Sequence, residues 1–468
     1  MRFLFLGSTF RALDSLAPAM AVLRAGGHAC RSLLYPLPGD ASRDRFAGWA
    51  EGAHRVLEHD AGTVAEYAAH ARSPGFLEEI AAEIEGFRPA ALVLAVNTLP
   101  FARLRADLRE RLPPPRAPFW IGVQHGLVQR WEEMNRHDTC DAFLAFGPRD
   151  LGRLAPWLRA RARVAGLPKL DRLAEQPSSD RGFLLYVADA RPTAVEAVNR
   201  LLTALEARLG CPVLVRDHPA RPGLYRPEAS LPRDPALQAL VGAGDPIPGL
   251  AACSAVLTNY STLGLEALAL GKPLVSLPLD DALEAFGGIP GMAASLEPEA
   301  VLDALRRARE DGAAVERFLE DAVGGRAPHH ASRMARALES LARAHRRRAG
   351  RPMPDRRPAA RLPLRLGVEA TAWPEENRLA LRGFVAADPP VTRIRLRHGG
   401  EPLGEAEVAG RRPDLADAFA DYGRIATGWH LDCPLPEAPG LLEVELLDEA
   451  GARGTRTLHP RMARVTPG

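Results

Sequence analysis

A chain of 468 residues is long enough for two to four domains of about 100–200 residues each. A hydrophobic share of 46% and a charged share of 25% suit a folded globular protein and exclude a disordered or fibrous one. The formal net charge is +2, from 60 basic and 58 acidic residues, so the chain carries no concentrated positive field and no nucleic-acid partner is expected.

Arg2–Leu6 reads as a short buried strand that ends at Gly7. Ser15–Ala25 reads as a helix stopped by Gly26-Gly27, and Ala29–Leu34 as a second strand. This β–loop–α–β unit is how a doubly wound domain opens. Residues 41–85 read as largely helical, with apolar positions at Phe46, Val56, Val64, Phe76, Leu77 and Ile80. Strands follow at Ala91–Val96, Phe119–Val123 and Asp141–Phe146, with a short one at Arg163–Ala165. After the polar, turn-rich Gln176–Arg181 the pattern restarts. Phe183–Val187 is a strand, Thr193–Leu209 a helix, and Val213–Arg216 and Ala255–Thr258 are strands. Thr262–Leu270 is a helix, Pro273–Leu277 a strand, and 297–347 is helical with a break at Gly324-Gly325. Two successive β/α series predict an α/β protein with two parallel-sheet, Rossmann-like domains, 1–170 and 180–345, facing a cleft.

Arg346–Pro363 carries seven Arg and four Pro and reads as a linker. Beyond it, 364–468 is a small all-β accessory domain of the sandwich type. Its predicted strands are Arg378–Val385, Thr392–His398, Gly404–Val408, Trp429–Cys433 and Leu441–Leu447, with one helical turn at Arg412–Phe419. The polybasic linker and the β domain are the candidates for a peripheral membrane or enzyme-complex contact.

The five cysteines, Cys30, Cys140, Cys211, Cys253 and Cys433, form no Cys-X-X-Cys pair, so free thiols are expected rather than a disulfide framework or a zinc site. The apolar run at the start is about five residues, against the 7–15 of a signal peptide. No stretch reaches the roughly 18 apolar residues of a membrane span. The expected location is cytoplasmic, with a peripheral position at the inner membrane as the alternative.

Three polar clusters follow predicted strands. Thr258-Asn259-Tyr260-Ser261-Thr262 leads from a strand into a helix starting near Ser261. Free N–H groups at such a start suit an anion, and Ser261 and Thr262 suit caps. Glu266 lies one turn in, within reach of ribose hydroxyls of a bound nucleotide. An ordinary capped helix shares this pattern. Arg216-Asp217-His218-Pro219 ends another strand, with Pro219 fixing the turn. His218 there can donate to a phosphate oxygen, or it can be a solvent-facing turn residue. Gln124-His125-Gly126 follows a strand of the first domain. Gly126 permits a sharp turn or a close approach. His125 can act as general base or acid for a hydroxyl, or it can be a polar loop residue.

These pieces together resemble the GT-B glycosyltransferases. More narrowly, they resemble the CDP-glycerol glycerophosphotransferases, the capsule-export-linked Kdo and sialic acid transferases, and the non-hydrolysing UDP-N-acetylglucosamine 2-epimerases. The matching segments are Gln124-His125-Gly126, Gly166-Leu167-Pro168-Lys169-Leu170-Asp171, Asp217-His218-Pro219, Asn259-Tyr260-Ser261-Thr262 with Glu266, Ala269–Pro273 and Gly325–Ala335. The resemblance covers about residues 1–345. It implies that His218, Ser261 and Thr262 hold the donor phosphate, that Glu266 binds the ribose, and that His125 is catalytic. Gln124, Gly126, Pro219, Asn259 and Tyr260 would support these loops. It further implies that 166–171 leads into the second domain and that the last helix returns to the first. The glycerophosphotransferase loop reads Asp-Tyr-Ser-Ser where this chain has Asn259-Tyr260-Ser261-Thr262, and its Trp-His-Gly is Gln124-His125-Gly126 here. The full acidic set of the epimerases is not seen.

The expected activity is transfer of a glycosyl or polyol-phosphate group from a nucleotide-activated donor (a CMP-sugar, CDP-polyol or UDP-sugar) to a hydroxyl of a glycan or lipid-linked acceptor of a bacterial surface. A sugar-nucleotide epimerase and a non-catalytic glycan- or partner-binding protein are the alternatives. Asp280-Asp281 is adjacent rather than spaced as Asp-X-Asp. No metal and no cofactor are expected; the donor is a substrate.

Overall fold

The computed structural model describes the whole chain except residues 39–53, 96–103, 106, 109–110, 113–116, 125, 128–139, 153, 155, 174–175, 190–192, 219–220, 233, 243, 280–284, 327, 349–364, 374–377, 387–390, 399–400, 409, 412–425, 435–441, 449–450 and 459–468. His125, Pro219, Asp280-Asp281 and the turn at Arg412–Phe419 therefore lie outside the described residues. The chain divides into two compact units. One comprises Met1–His125, Arg130–Pro168 and Ala331–Gly468; the other comprises Gly126–Gln129 and Lys169–His330.

The first unit holds a seven-stranded parallel sheet built from β1 (Arg2–Gly7), β2 (Ala29–Leu34), β3 (His54–Val56), β4 (Ala91–Ala95), β5 (Phe119–Val123), β6 (Ala142–Ala145) and β7 (Ala162–Val164). Its order is β3-β2-β1-β4-β5-β6-β7, the doubly wound arrangement in which the strand order reverses between β1 and β4. Successive residues of β1 feed opposite faces, as a period of two requires. Phe3 and Phe5 join one buried cluster; Leu4 and Leu6 join another. The first face is covered by α1 (Phe10–Asp14) and α2 (Ala17–Ala25), through Leu13, Met20 and Leu23. The second is covered by the helix after α3 (Val64–His70), namely α4 (Pro74–Phe87), through Phe76, Ile80 and Ile84. Apolar cover on both faces is what makes parallel strands read as unbroken hydrophobic runs.

Residues 54–56 depart from the sequence reading. Val56 belongs to β3, an edge strand, rather than to a helix. Three residues are too few to show a period of two.

The second unit holds a four-stranded parallel sheet of β8 (Leu184–Val187), β9 (Val213–Arg216), β10 (Ala255–Thr258) and β11 (Leu274–Ser276), in the order β11-β10-β8-β9. Its core packs α5 (Val195–Leu209), through Val198, Leu201, Leu202 and Leu205, against Leu184, Tyr186, Val213 and Leu257. After α6 (Leu263–Ala269), α7 (Pro298–Glu310) adds Val301, Ala304 and Leu305 to the same cluster, and α8 (Gly312–Val323) ends at the left-handed Gly324.

The chain rejoins the first unit at Ala331, one residue into α9 (His330–Arg348). Met334, Ala335, Leu338 and Ala342 of α9 pack with Phe3, Phe5 and Leu13. The helix runs through Arg348, into the Arg/Pro-rich stretch.

Among the described residues, eight strands follow, in two antiparallel sheets. β12 (Arg365–Trp373), β13 (Arg378–Ala386), β17 (Ala426–Pro434) and β16 (Gly410–Arg411) form one, in that order. β15 (Glu401–Glu407), β14 (Arg393–His398), β18 (Leu442–Asp448) and β19 (Gly451–Leu458) form the other. Leu381, Val385, Trp429 and Leu431 of the first sheet share one buried cluster with Ile394, Leu396, Val444 and Leu446 of the second, which is the packing of a sandwich.

No helix among the described residues is long and apolar enough to cross a membrane. All five cysteines are free thiols. Burial pushes the Cys30 and Cys433 thiols up to about 11 and Cys253 up to about 12, so they stay protonated and behave as small apolar side chains.

Candidate functional site

In the second unit the strand order reverses between β8 and β10. Ligands of open α/β sheets bind outside the carboxyl ends of the strands at such a point. Each of the strand ends there carries polar residues. Asp189 follows β8, Asp217 and His218 follow β9, and Asn259–Thr262 follow β10.

The β10 loop is held from below. Thr258 is fully buried; its Oγ1 donates to the carbonyl of Val187 at 3.0 Å and accepts from the Ser261 N–H at 3.4 Å. The Asn259 carbonyl accepts from Ser276 Oγ at 2.9 Å. Asn259 is 1% exposed, and its Oδ1 has no hydrogen-bond partner among the described residues. A buried carbonyl oxygen left so is costly, which marks the position for a donor from a ligand or water.

The start of α6 differs from the sequence reading. Thr262 is the N-cap residue, but with helical backbone angles and no capping hydrogen bond from its side chain. Its Oγ1 instead accepts from the Leu127 N–H at 3.3 Å. Ser261 Oγ accepts from Leu263 N–H at 3.4 Å. The helix spans only seven residues, so its dipole contributes little.

Gly126 lies in the left-handed region with φ of 77°, and a β-carbon there would stand 3.1 Å from Thr262 Oγ1. The glycine thus answers both a backbone and a packing demand. Gln124 is a brace: Oε1 accepts from Phe146 N–H at 2.8 Å, and Nε2 donates to Asp150 Oδ2 at 2.6 Å. His125, between these two placed residues, is outside the described set.

His218 is half-buried, and its carbonyl accepts from the Arg221 N–H at 2.8 Å, closing a tight turn. Asp217 Oδ2 fixes that turn by accepting from Gly223 N–H at 3.0 Å and pairing with Arg226 at 3.1 Å. The buried Arg216 anchors the other side by donating to the carbonyls of Val241, Gly242 and Gly244.

Glu266 is in the first turn of α6, with its side chain 7% exposed. Its Oε1 accepts from Lys169 Nζ. Lys169 belongs to the 3₁₀ turn Pro168–Arg172, where Asp171 Oδ1 accepts from the N–H groups of His329 (3.1 Å) and His330 (3.0 Å). Asp171 thereby caps α9 in place of a local residue; His329 holds a φ of 119°.

Asp189 escapes a sequence reading. It is 3% exposed, and burial together with nearby Tyr225, Asp189 and Tyr260 holds the Tyr186 phenol well above its ordinary value of 10. Tyr186 and Tyr225 meet edge to face, with centroids 5.1 Å apart. A buried carboxylate beyond β8 was detectable only as an aspartate after an apolar run.

A cavity of about 480 Å³ in the first unit, bounded by Glu58, His59, Asp60, Glu66 and His70, is less suited to a site. His59 spends both ring nitrogens on Pro36 and Ala61 backbone, and Glu66 completes a capping box. No group of side chains able to hold a metal ion occurs among the described residues.

No protein-family model matches the chain, and no curated protein matches it. Solved structures do. A protein assigned as a UDP-N-acetylglucosamine 2-epimerase of Listeria monocytogenes superposes with a TM-score of 0.51 at 15% identity, over 72% of this chain and 96% of that one. A second UDP-N-acetylglucosamine 2-epimerase gives 0.51 at 14% identity, over 77% and 99%. The fold is that of the GT-B group, with a C-terminal antiparallel addition.

Proposed function

We propose that the chain is a metal-independent enzyme that moves a glycosyl or polyol-phosphate group from a nucleotide-activated donor to a hydroxyl of a surface glycan or its lipid-linked precursor. The observation that carries the reading is the set of polar groups at three adjacent strand ends of the second unit: Asp189, His218 and Asn259–Thr262, at the reversal of strand order. In this reading His218, Ser261 and Thr262 hold the donor phosphate, and Glu266 accepts from the ribose.

His125 takes the proton of the acceptor hydroxyl. Its oxygen forms the new bond to the transferred carbon or phosphorus while the bond to the nucleotide phosphate breaks. The charge then gathering on the departing phosphate is stabilised by His218 and the β10-loop donors. Orientation by fixed groups adds to this, since Thr258, Asp217 and Arg216 brace both loops.

The epimerase reading is favoured by the two solved structures just described, both assigned as UDP-N-acetylglucosamine 2-epimerases. An assay separates the readings. The purified chain is incubated with CDP-glycerol, CMP-sialic acid and UDP-N-acetylglucosamine, each with and without a glycan acceptor. Acceptor-dependent release of free nucleotide is expected from one donor. Acceptor-free epimerisation of UDP-N-acetylglucosamine would assign the second reading, and neither reaction would leave a binding protein.

A further inference from the structure

All but two of the 60 basic residues are arginine; the exceptions are Lys169 and Lys272. Both meet specific acceptors in the second unit. Lys272 is 7% exposed and donates to the carbonyl of Ser179. Lys169 donates to a single carboxylate oxygen, Oε1 of the buried Glu266. An ammonium is a compact point charge that can serve one oxygen, whereas a guanidinium is a planar fork matched to both. Oε2 of Glu266 has no protein hydrogen bond among the described residues. The turn that carries Lys169 is itself fixed, because Asp171 two residues on is bound to His329 and His330.

We propose that Lys169 is a positioning residue: by engaging Oε1 from a fixed turn, it leaves Oε2 of Glu266 to accept hydrogen bonds from the ribose hydroxyls of the donor nucleotide. This rests on the reading of the second unit as the donor site. Lysine rather than arginine matters here, since a fork would occupy both oxygens.

The test is calorimetric titration of the full chain with UDP and CDP and with their 2′,3′-dideoxy counterparts. The unmodified chain is expected to prefer the ribonucleotide by about tenfold, the scale of hydrogen bonds to a charged group. Lys169→Arg keeps the ion pair and the fold, yet it should reduce that preference to within about threefold. Lys169→Met should do the same, and adding Lys169→Met to Glu266→Gln should change the preference no further, because coupled groups are not additive. A preference that survives Lys169→Arg, or equal weakening of ribo and dideoxy binding in Lys169→Met, would overturn the role and leave a structural ion pair. An unmodified chain that binds neither nucleotide overturns the donor reading itself, and this inference with it.

Discussion

Replacing His218 by alanine is expected to lower group transfer by at least about 10²-fold, and replacing His125 by alanine to do the same. The two losses should differ in kind. His218 follows β9, the edge strand next to β8, and its proposed partner is the departing phosphate. Losing a donor to charge that builds in the transition state lowers kcat more than it weakens ground-state binding. His125→Ala should leave nucleotide affinity close to that of the unmodified chain, because its proposed partner is the acceptor hydroxyl. Neither change should unfold the chain. His218 is half-buried in a turn whose closing bond comes from its backbone carbonyl, which alanine retains. Near-normal turnover in both variants would remove these residues from the chemistry.

The largest stability effect is expected at Glu206 of α5. It is 1% exposed and accepts hydrogen bonds from the N–H groups of Val213 (2.9 Å), Ser230 (2.7 Å) and Leu231 (2.8 Å) and from Ser230 Oγ (3.1 Å). One carboxylate therefore closes the entry to β9 and the segment at 230–231. Glu206→Leu fills similar space but strands three backbone donors, each costing about 1–3 kcal/mol when buried without a partner. A net loss of about 3–5 kcal/mol is expected in urea unfolding, with Glu206→Gln losing less because it keeps one acceptor oxygen. A loss below about 1 kcal/mol for Glu206→Leu would show that those donors find water instead.

The sequence reveals the strands with neighbours on both sides and also the edges β7, β9, β11 and β15, wherever an apolar or alternating run is long enough to read. β1, β4, β5, β8, β9 and β10 are apolar runs ended by polar, Gly or Pro residues, and β13, β14, β17 and β18 alternate cleanly. The strands it hides are edges: β3 of the seven-stranded sheet, and β12, β16 and β19 of the sandwich. An edge strand is solvated along one side and needs fewer apolar residues, so Gly451–Leu458 carries too little pattern to read. The same limit applies to the site. The loops at His218 and at Asn259–Thr262 announce themselves by following apolar runs. The Lys169–Glu266 pair joins positions 97 residues apart, and the tie from Leu127 to Thr262 spans 135. No local periodicity encodes such pairs; only the folded chain brings them together.

Glu266 shows what the folded state adds. Its place in the first turn of a helix suggests a ribose acceptor, but only the structure shows the carboxylate buried and half-engaged by a lysine. Thr262 shows the converse, since a residue typical of caps spends its hydroxyl on Leu127.

In the proposed mechanism the second unit binds the nucleotide part of an activated donor. Thermal unfolding of the full chain with CMP, CDP, UDP and GDP tests it most directly, because a ligand that binds only the folded state raises the midpoint by mass action. One base should raise the midpoint at millimolar nucleotide while the others do not, and His218→Ala should diminish that rise. An unchanged midpoint with all four nucleotides, confirmed by the absence of heat on titration, would show that the second unit is not a nucleotide site.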